Sequence, residues 1–256
     1  AAMTGTGSIV LVGTTTLSGS TGIGATASIS TPITGSGGLT INGASSRYVI
    51  LGGTNTYSGG TLLNGDVGAA VGSAFGTGSI TSMGGSARIN NTSGAVLVLP
   101  NNLSTTSTTT NVLSFTGPNP IQITGTVTGA GILRASSSGI IDISQQTMAT
   151  MLATGNIDMG NSGVIKASSA ANFGTLAAIL ASGSLTPSPT LQALGNTGVI
   201  TQPVMIGATR NNPVSFTVDT NGFAVTLGGV IQNLNSGTGG GITKAGSGTL
   251  TLTAAN

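Results

Sequence analysis

Asp66, Asp142, Asp158 and Asp219 are the four carboxylate side chains this sequence offers for acid–base work, and it contains no histidine, cysteine or glutamate. Ser-His-Asp and Cys-His nucleophilic arrangements and histidine-based metal sites are therefore excluded within the chain. Paired-carboxylate chemistry of the glycoside-cleaving kind remains, and it needs two carboxyl groups held a few ångströms apart. Asp142 and Asp158 are the candidate pair, because their separation in sequence is not far from one turn of a repeat protein. The plainer reading, two solvated turn or surface aspartates, is preferred. The Asp-rich nonapeptide calcium repeat is absent. The glycine-rich passage 237–241 lacks a Gly-Lys-Ser/Thr ending and a βαβ context, so a tight turn is the better reading than a phosphate loop. Tyr57, one of two tyrosines, is either a ligand-stacking platform or, as we expect, a ring packed over the turn at Gly59-Gly60. Asn55, Asn64, Asn90 and Asn91 are expected to bond turn backbone or to form ladders between repeats. The glycosylation sequons Asn91-Thr92-Ser93 and Asn102-Leu103-Ser104 are read as chance. No residue is assigned to catalysis, cofactor binding or metal binding, and no cofactor is expected.

The elements that would position these residues are short and repetitive. Arg47 to Leu51 and Thr61 to Leu63 are apolar, strand-like runs on either side of a glycine-rich turn. Similar runs recur at 8–12, 87–90, 95–99, 112–115, 121–124, 139–143, 163–166, 214–219, 223–227 and 249–253, separated by Gly, Asn, Ser and Thr. Phe216 with Val218, Val225 with Leu227 and Leu250 with Leu252 repeat with a period of two, which places one face inward and one outward. Longer strand–turn–strand passages begin at Pro32, Ile123 and Val230, on the order of 100 residues apart, and each marks a module of several coils. Two stretches break the pattern. Ser144 to Thr154 and Ala170 to Ser182 are richer in Ala, Met and Leu, and Phe173, Ala177 and Leu180 fall near helical spacing. They predict one or two short helices, and with the proline-bearing loop 183–189 they form an excursion around 144–190.

Composition sets the class. Of 256 residues 44 are glycine, and 4% are charged where an ordinary soluble domain has about 25%. Mean hydropathy is +0.39 and net charge is +2, so the chain buries apolar surface and folds. Without cysteine, stability comes from stacking and hydrogen bonds. The six cations, Arg47, Arg88, Arg134, Lys166, Arg210 and Lys244, are scattered along the chain, whereas a phosphate-binding surface needs them clustered, so nucleic acid is not an expected partner. No apolar run approaches the roughly 20 residues of a membrane span, so direct membrane insertion of this segment is not expected.

The motif Gly37-Gly38-Leu39-Thr40, followed by Leu51-Gly52-Gly53-Thr54-Asn55-Thr56-Tyr57-Ser58-Gly59-Gly60-Thr61 and then Gly76-Thr77-Gly78-Ser79-Ile80, resembles the passenger-associated repeat of bacterial autotransporters. The stretch from Gly240 to Asn256 looks like the first half of the same repeat. The resemblance covers roughly residues 23–80 and 214–256, with the passage Ile123 to Leu133 between them. It is specific for architecture and nearly silent on activity. It implies an all-β chain folded as a right-handed parallel β-helix, or solenoid, exported to the bacterial cell surface, usually ahead of a membrane-embedded barrel. The sequence shows no signal peptide or barrel and ends within the motif. The expectation is therefore a fragment of a longer chain, or a unit whose stack a neighbour continues.

Residues 1–256 are thus read as a single solenoid segment with one or two short helical or loop excursions. The expected role is that of a non-enzymatic extracellular passenger in adhesion, self-association or surface display, partnered by itself or by a host or surface receptor. The alternative is a fibre or sheath subunit assembled by end-to-end coil stacking. A polysaccharide-cleaving β-helix enzyme would need a groove with clustered acidic and basic residues, and the sequence has too few to supply one.

Overall fold

The computed structural model describes residues 2–3, 6–18, 27–43, 48–83, 85–106, 111–136, 138–146, 155–183, 188–208, 214–234 and 240–254. Its strands are two to six residues long, too short to bury a face by hairpin pairing alone. They stack instead: every strand pair is parallel, and each strand pairs with its counterpart one coil away. The long sheet contains eleven strands in chain order, from Ala2–Met3 to Ile231–Asn233. Its register steps run from 18 residues, between Val49 and Val67, to 27, between Val204 and Ile231. At about 4.8 Å per step, ten steps span about 48 Å. The architecture is a parallel β-solenoid, as the alternating apolar runs and glycine-rich corners predict.

Between successive strands of the long sheet the chain crosses two further faces. One carries a two-stranded sheet, Ile9–Leu11 and Ile33–Gly35, and then a seven-stranded sheet from Leu97–Leu99 to Gly241–Ala245. The other carries a six-stranded sheet from Thr15–Ser18 to Val127–Gly129, and later a three-stranded sheet from Gly198–Ile200 to Thr249–Leu252.

Period-two alternation fills the interior with vertical columns. On the seven-stranded sheet Leu97, Ile121, Ile141, Ile165, Leu191 and Val218 stack in register, and each is at most 1% exposed. On the long sheet Ala87, Leu113, Leu133, Ile157, Ile179 and Val204 do the same. These columns belong to one apolar core that runs from Leu11 to Leu227. Each fully buried Leu, Ile, Val or Phe contributes about 1.5–3 kcal/mol relative to exposure.

The helix expected over 170–182 is not formed. Ala170–Phe173 is a single 3-10 turn, capped by the Ser169 hydroxyl accepting from the Ala171 N–H, and Ala178–Gly183 is a strand of the long sheet. Helical spacing of Phe173, Ala177 and Leu180 arose by chance from two different elements, and every residue of the strand is buried. Of the second helix expected, 147–154 lies outside the described residues, and Ser144 to Gln146 is a turn. Both interruptions fall on the face where the six-stranded sheet ends and the three-stranded one has not begun, so strand pairing lapses there for two coils. No α-helix occurs among the described residues, and none there is long and apolar enough to cross a membrane.

Candidate functional site

Tyr57 lies inside the solenoid. Its ring is fully buried and its hydroxyl shares a 2.6 Å hydrogen bond with the Thr61 hydroxyl. Burial pushes its pKa up to about 12, with the Thr61 bond acting weakly the other way. The ring therefore cannot serve as a ligand platform. It also packs differently from the expectation: its neighbour is Gly76 of the next coil, where an added Cβ would lie 3.0 Å from the ring and 2.3 Å from the Tyr57 carbonyl oxygen. Gly76 has φ +64°, so this corner requires glycine both for conformation and for space.

Side-chain amides stitch neighbouring coils where strand pairing lapses on either face. Asn55 Oδ1 accepts from the Ile33 N–H and its Nδ2 donates to the Ala74 carbonyl, at 2.8 and 2.6 Å. Asn101 Nδ2 donates to the carbonyls of Gly76 and Gly78. Gln146 Nε2 donates to those of Ile123 and Gly125, and Asn172 Nδ2 to that of Gln146. Each amide satisfies corner carbonyls, usually of the preceding coil, that would otherwise be buried unpaired. The expectation for the asparagines is met: Asn64 Nδ2 donates to Asn42 Oδ1 in an exposed ladder, Asn91 Nδ2 bonds the turn carbonyls of Ala95, Asn119 and Pro120, and Asn90 accepts from the Thr116 hydroxyl. Gln146 and Asn172 were not singled out in the sequence, because nothing in their neighbourhoods marks a corner.

The structure does not bring Asp142 and Asp158 together. Asp142 ends a strand of the seven-stranded sheet, in register between Gln122 and Lys166. It accepts from the Ser144 N–H at 2.9 Å and from Gln122 Nε2 at 3.3 Å. Asp158 belongs to the long sheet and is 1% exposed. It accepts from Arg134 Nε at 2.7 Å and from the Ser182 hydroxyl at 2.8 Å. Neither is the solvated group that was expected: Asp158 is 1% exposed and Asp142 9%. Asp66 stands 3.5 Å from Arg88. Burial raises its pKa above 3.8, and the Arg88 guanidinium partly offsets the rise. Asp219 accepts from Gln192 Nε2 at 2.8 Å and from the Asn221 N–H at 3.0 Å. Each carboxylate is thus held by neighbouring coils or its own turn. No group of three or more His, Cys, Asp or Glu that could hold a metal occurs among the described residues.

The charges are ordered by face. Asp66, Arg88, Ser114, Arg134 and Asp158 form one column of the long sheet, two ion pairs around a central serine. Asp142, Lys166, Asp219 and Lys244 lie on strands of the seven-stranded sheet. The strands of the six-stranded sheet carry none. Its outward column reads Thr16, Thr40, Leu62, Thr81, Ser104, Thr128, in register throughout. Period-two patterning alone could not show this, because it says which residues point outward but not which share a face.

No protein-family model, curated protein or solved structure matches this chain.

Proposed function

We propose that this chain is a passenger segment displayed on a bacterial surface, of the autotransporter kind, and that its role is structural: self-association and adhesion rather than catalysis. The observation that carries the reading is the charge-free outer face of the six-stranded sheet, with hydroxyls at five of six positions of one column at about 4.8 Å spacing. Neutral hydroxyls cost far less to desolvate than charges, and a second copy presents the same groups at the same period. The passenger-associated motifs around residues 37–80 and the solenoid architecture support export and display. The dispersal and engagement of the four aspartates support a non-catalytic role.

Sedimentation of the purified chain over a range of concentrations tests the reading. Association that weakens in Thr40→Lys/Thr81→Lys supports it, and a chain that stays monomeric and does not adhere to cells removes it. A second reading, a fibre subunit, draws on the uniformly parallel register, which a coil of another copy could continue. Filaments that persist in Thr40→Lys/Thr81→Lys would favour it. In the native source, immunoblotting of outer-membrane and shed material tests display: a heat-shifting band much larger than 24.5 kDa is expected for a passenger joined to its barrel.

A further inference from the structure

The face that starts with the two-stranded sheet and resumes with the seven-stranded sheet contains a fault. Between Ile33–Gly35 and Leu97–Leu99 two coils cross this face without a strand, over residues 52–60 and 70–79. The second turns sharply and sends Ala74 and Phe75 into the core, both fully buried. The outer surface is left with a cleft of about 440 Å³, whose lining includes Thr54, Thr56, Ser73, Thr77, Pro100 and Asn101.

The lining contains no charged and no aromatic residue. Thr54, Thr56 and Thr77 are exposed and Ser73 is half-buried. The side chains of Thr54, Thr56 and Ser73 make no hydrogen bond among the described residues, so their donors and acceptors are free. Asn101 is 4% exposed. Its Nδ2 is spent on the Gly76 and Gly78 carbonyls, while its Oδ1 has no partner among the described residues. An ion would find no countercharge in this lining, and an apolar ligand would strip water from free hydroxyls without replacing their bonds. A polyhydroxy ligand exchanges hydrogen bonds one for one, and the Pro100 ring offers its C–H face a flat apolar neighbour. The volume is that of a small-ligand site, roughly fifteen waters at about 30 Å³ each, or one or two pyranose rings.

We propose that this cleft binds a neutral saccharide of one or two rings. The site lies on a different face from the hydroxyl column and does not depend on self-association. The probes are D-glucose, D-galactose, N-acetylglucosamine, maltose and lactose, each at millimolar concentration, read by saturation-transfer difference NMR on the purified chain. At least one is expected to receive saturation from the wild-type chain and equally from Val199→Arg, an exposed position on the three-stranded sheet, outside both the cleft and the hydroxyl column. Thr56→Arg, and independently Thr54→Arg, both at exposed positions, are expected to weaken binding by roughly tenfold or more. Circular dichroism confirms that each variant keeps its sheet. No transfer to any of the five, or equal transfer in both cleft variants, overturns the proposal.

Discussion

Replacing Arg134 by methionine would strand a buried carboxylate. Asp158 is 1% exposed on its side chain and receives the Arg134 Nε at 2.7 Å. Its other side-chain donor is the Ser182 hydroxyl, at 2.8 Å. Removing one partner of a buried ion pair costs about 3–5 kcal/mol. The Arg134 side chain is 34% exposed, so water already screens the pair on one side, and we reduce the expectation to about 2–3 kcal/mol. Methionine keeps much of the aliphatic stem, which lies against Gly160, where an added Cβ would meet Arg134 Cδ at 3.1 Å. For a chain of this size each kcal/mol is about 2–4 °C in Tm, so Arg134→Met should melt about 4–12 °C lower. Arg134→Met/Asp158→Leu should recover most of that loss, because it removes the stranded charge along with its partner. Thermal and urea unfolding followed by circular dichroism measure both. An Arg134→Met variant within about 0.5 kcal/mol of wild type would refute the reading of Asp158 as a buried structural carboxylate. So would a double variant less stable than the single.

Other outcomes follow from the same structure. Gly76→Ala should destabilise by about 2 kcal/mol or more, because the new Cβ would lie 2.3 Å from the Tyr57 backbone carbonyl oxygen at φ +64°, and its Tm reports this directly. Tyr57, with its pKa pushed to about 12, stays neutral in the folded chain while an unfolded tyrosine ionises near 10. Its contribution to stability is complete below pH 10 and is lost as pH rises toward 12; tyrosinate absorbance alongside alkaline unfolding should show it, and Tyr57→Phe should flatten that window. Asp66 has its pKa raised by burial, so its contribution is complete below about pH 3.8 and lost as pH rises through the raised value. Asp66→Asn should therefore gain more in Tm relative to wild type at pH 7 than at pH 3.

The solenoid was legible because its signals are local and repeated. Alternation at Phe216 and Val218 or Val225 and Leu227, with glycine-rich corners between, specifies strands whose inward faces must stack. Strands such as Asn156–Gly160 and Ala178–Gly183 were hidden, because both of their faces are buried and period-two contrast disappears. Ala178–Gly183 instead mimicked a helix, joined by accident to the Phe173 turn. The surroundings of the aspartates depend on register. Coil lengths vary from 18 to 27 residues, so sequence separation does not tell which coil positions coincide. That is why Asp158 meets Arg134 and Ser182 rather than Asp142. The amide ladder through Asn101, Gln146 and Asn172 was equally hidden, since an asparagine pointing into a corner looks in sequence like one pointing to water. The cleft required the structure as well, because it exists where two coils fail to form strands.

The stacking itself can be measured with spin labels, and the chain has no cysteine to remove first. Labels at Thr16 and Thr81, Thr40 and Thr128, and Thr16 and Thr128 lie three, four and five register steps apart on one column. Double electron–electron resonance should find distances that grow by about 4.8 Å per step, near 14, 19 and 24 Å before label length is added. Distances that do not increase with the number of coils between the labels would contradict the parallel solenoid, and with it every reading of face, column and cleft given above.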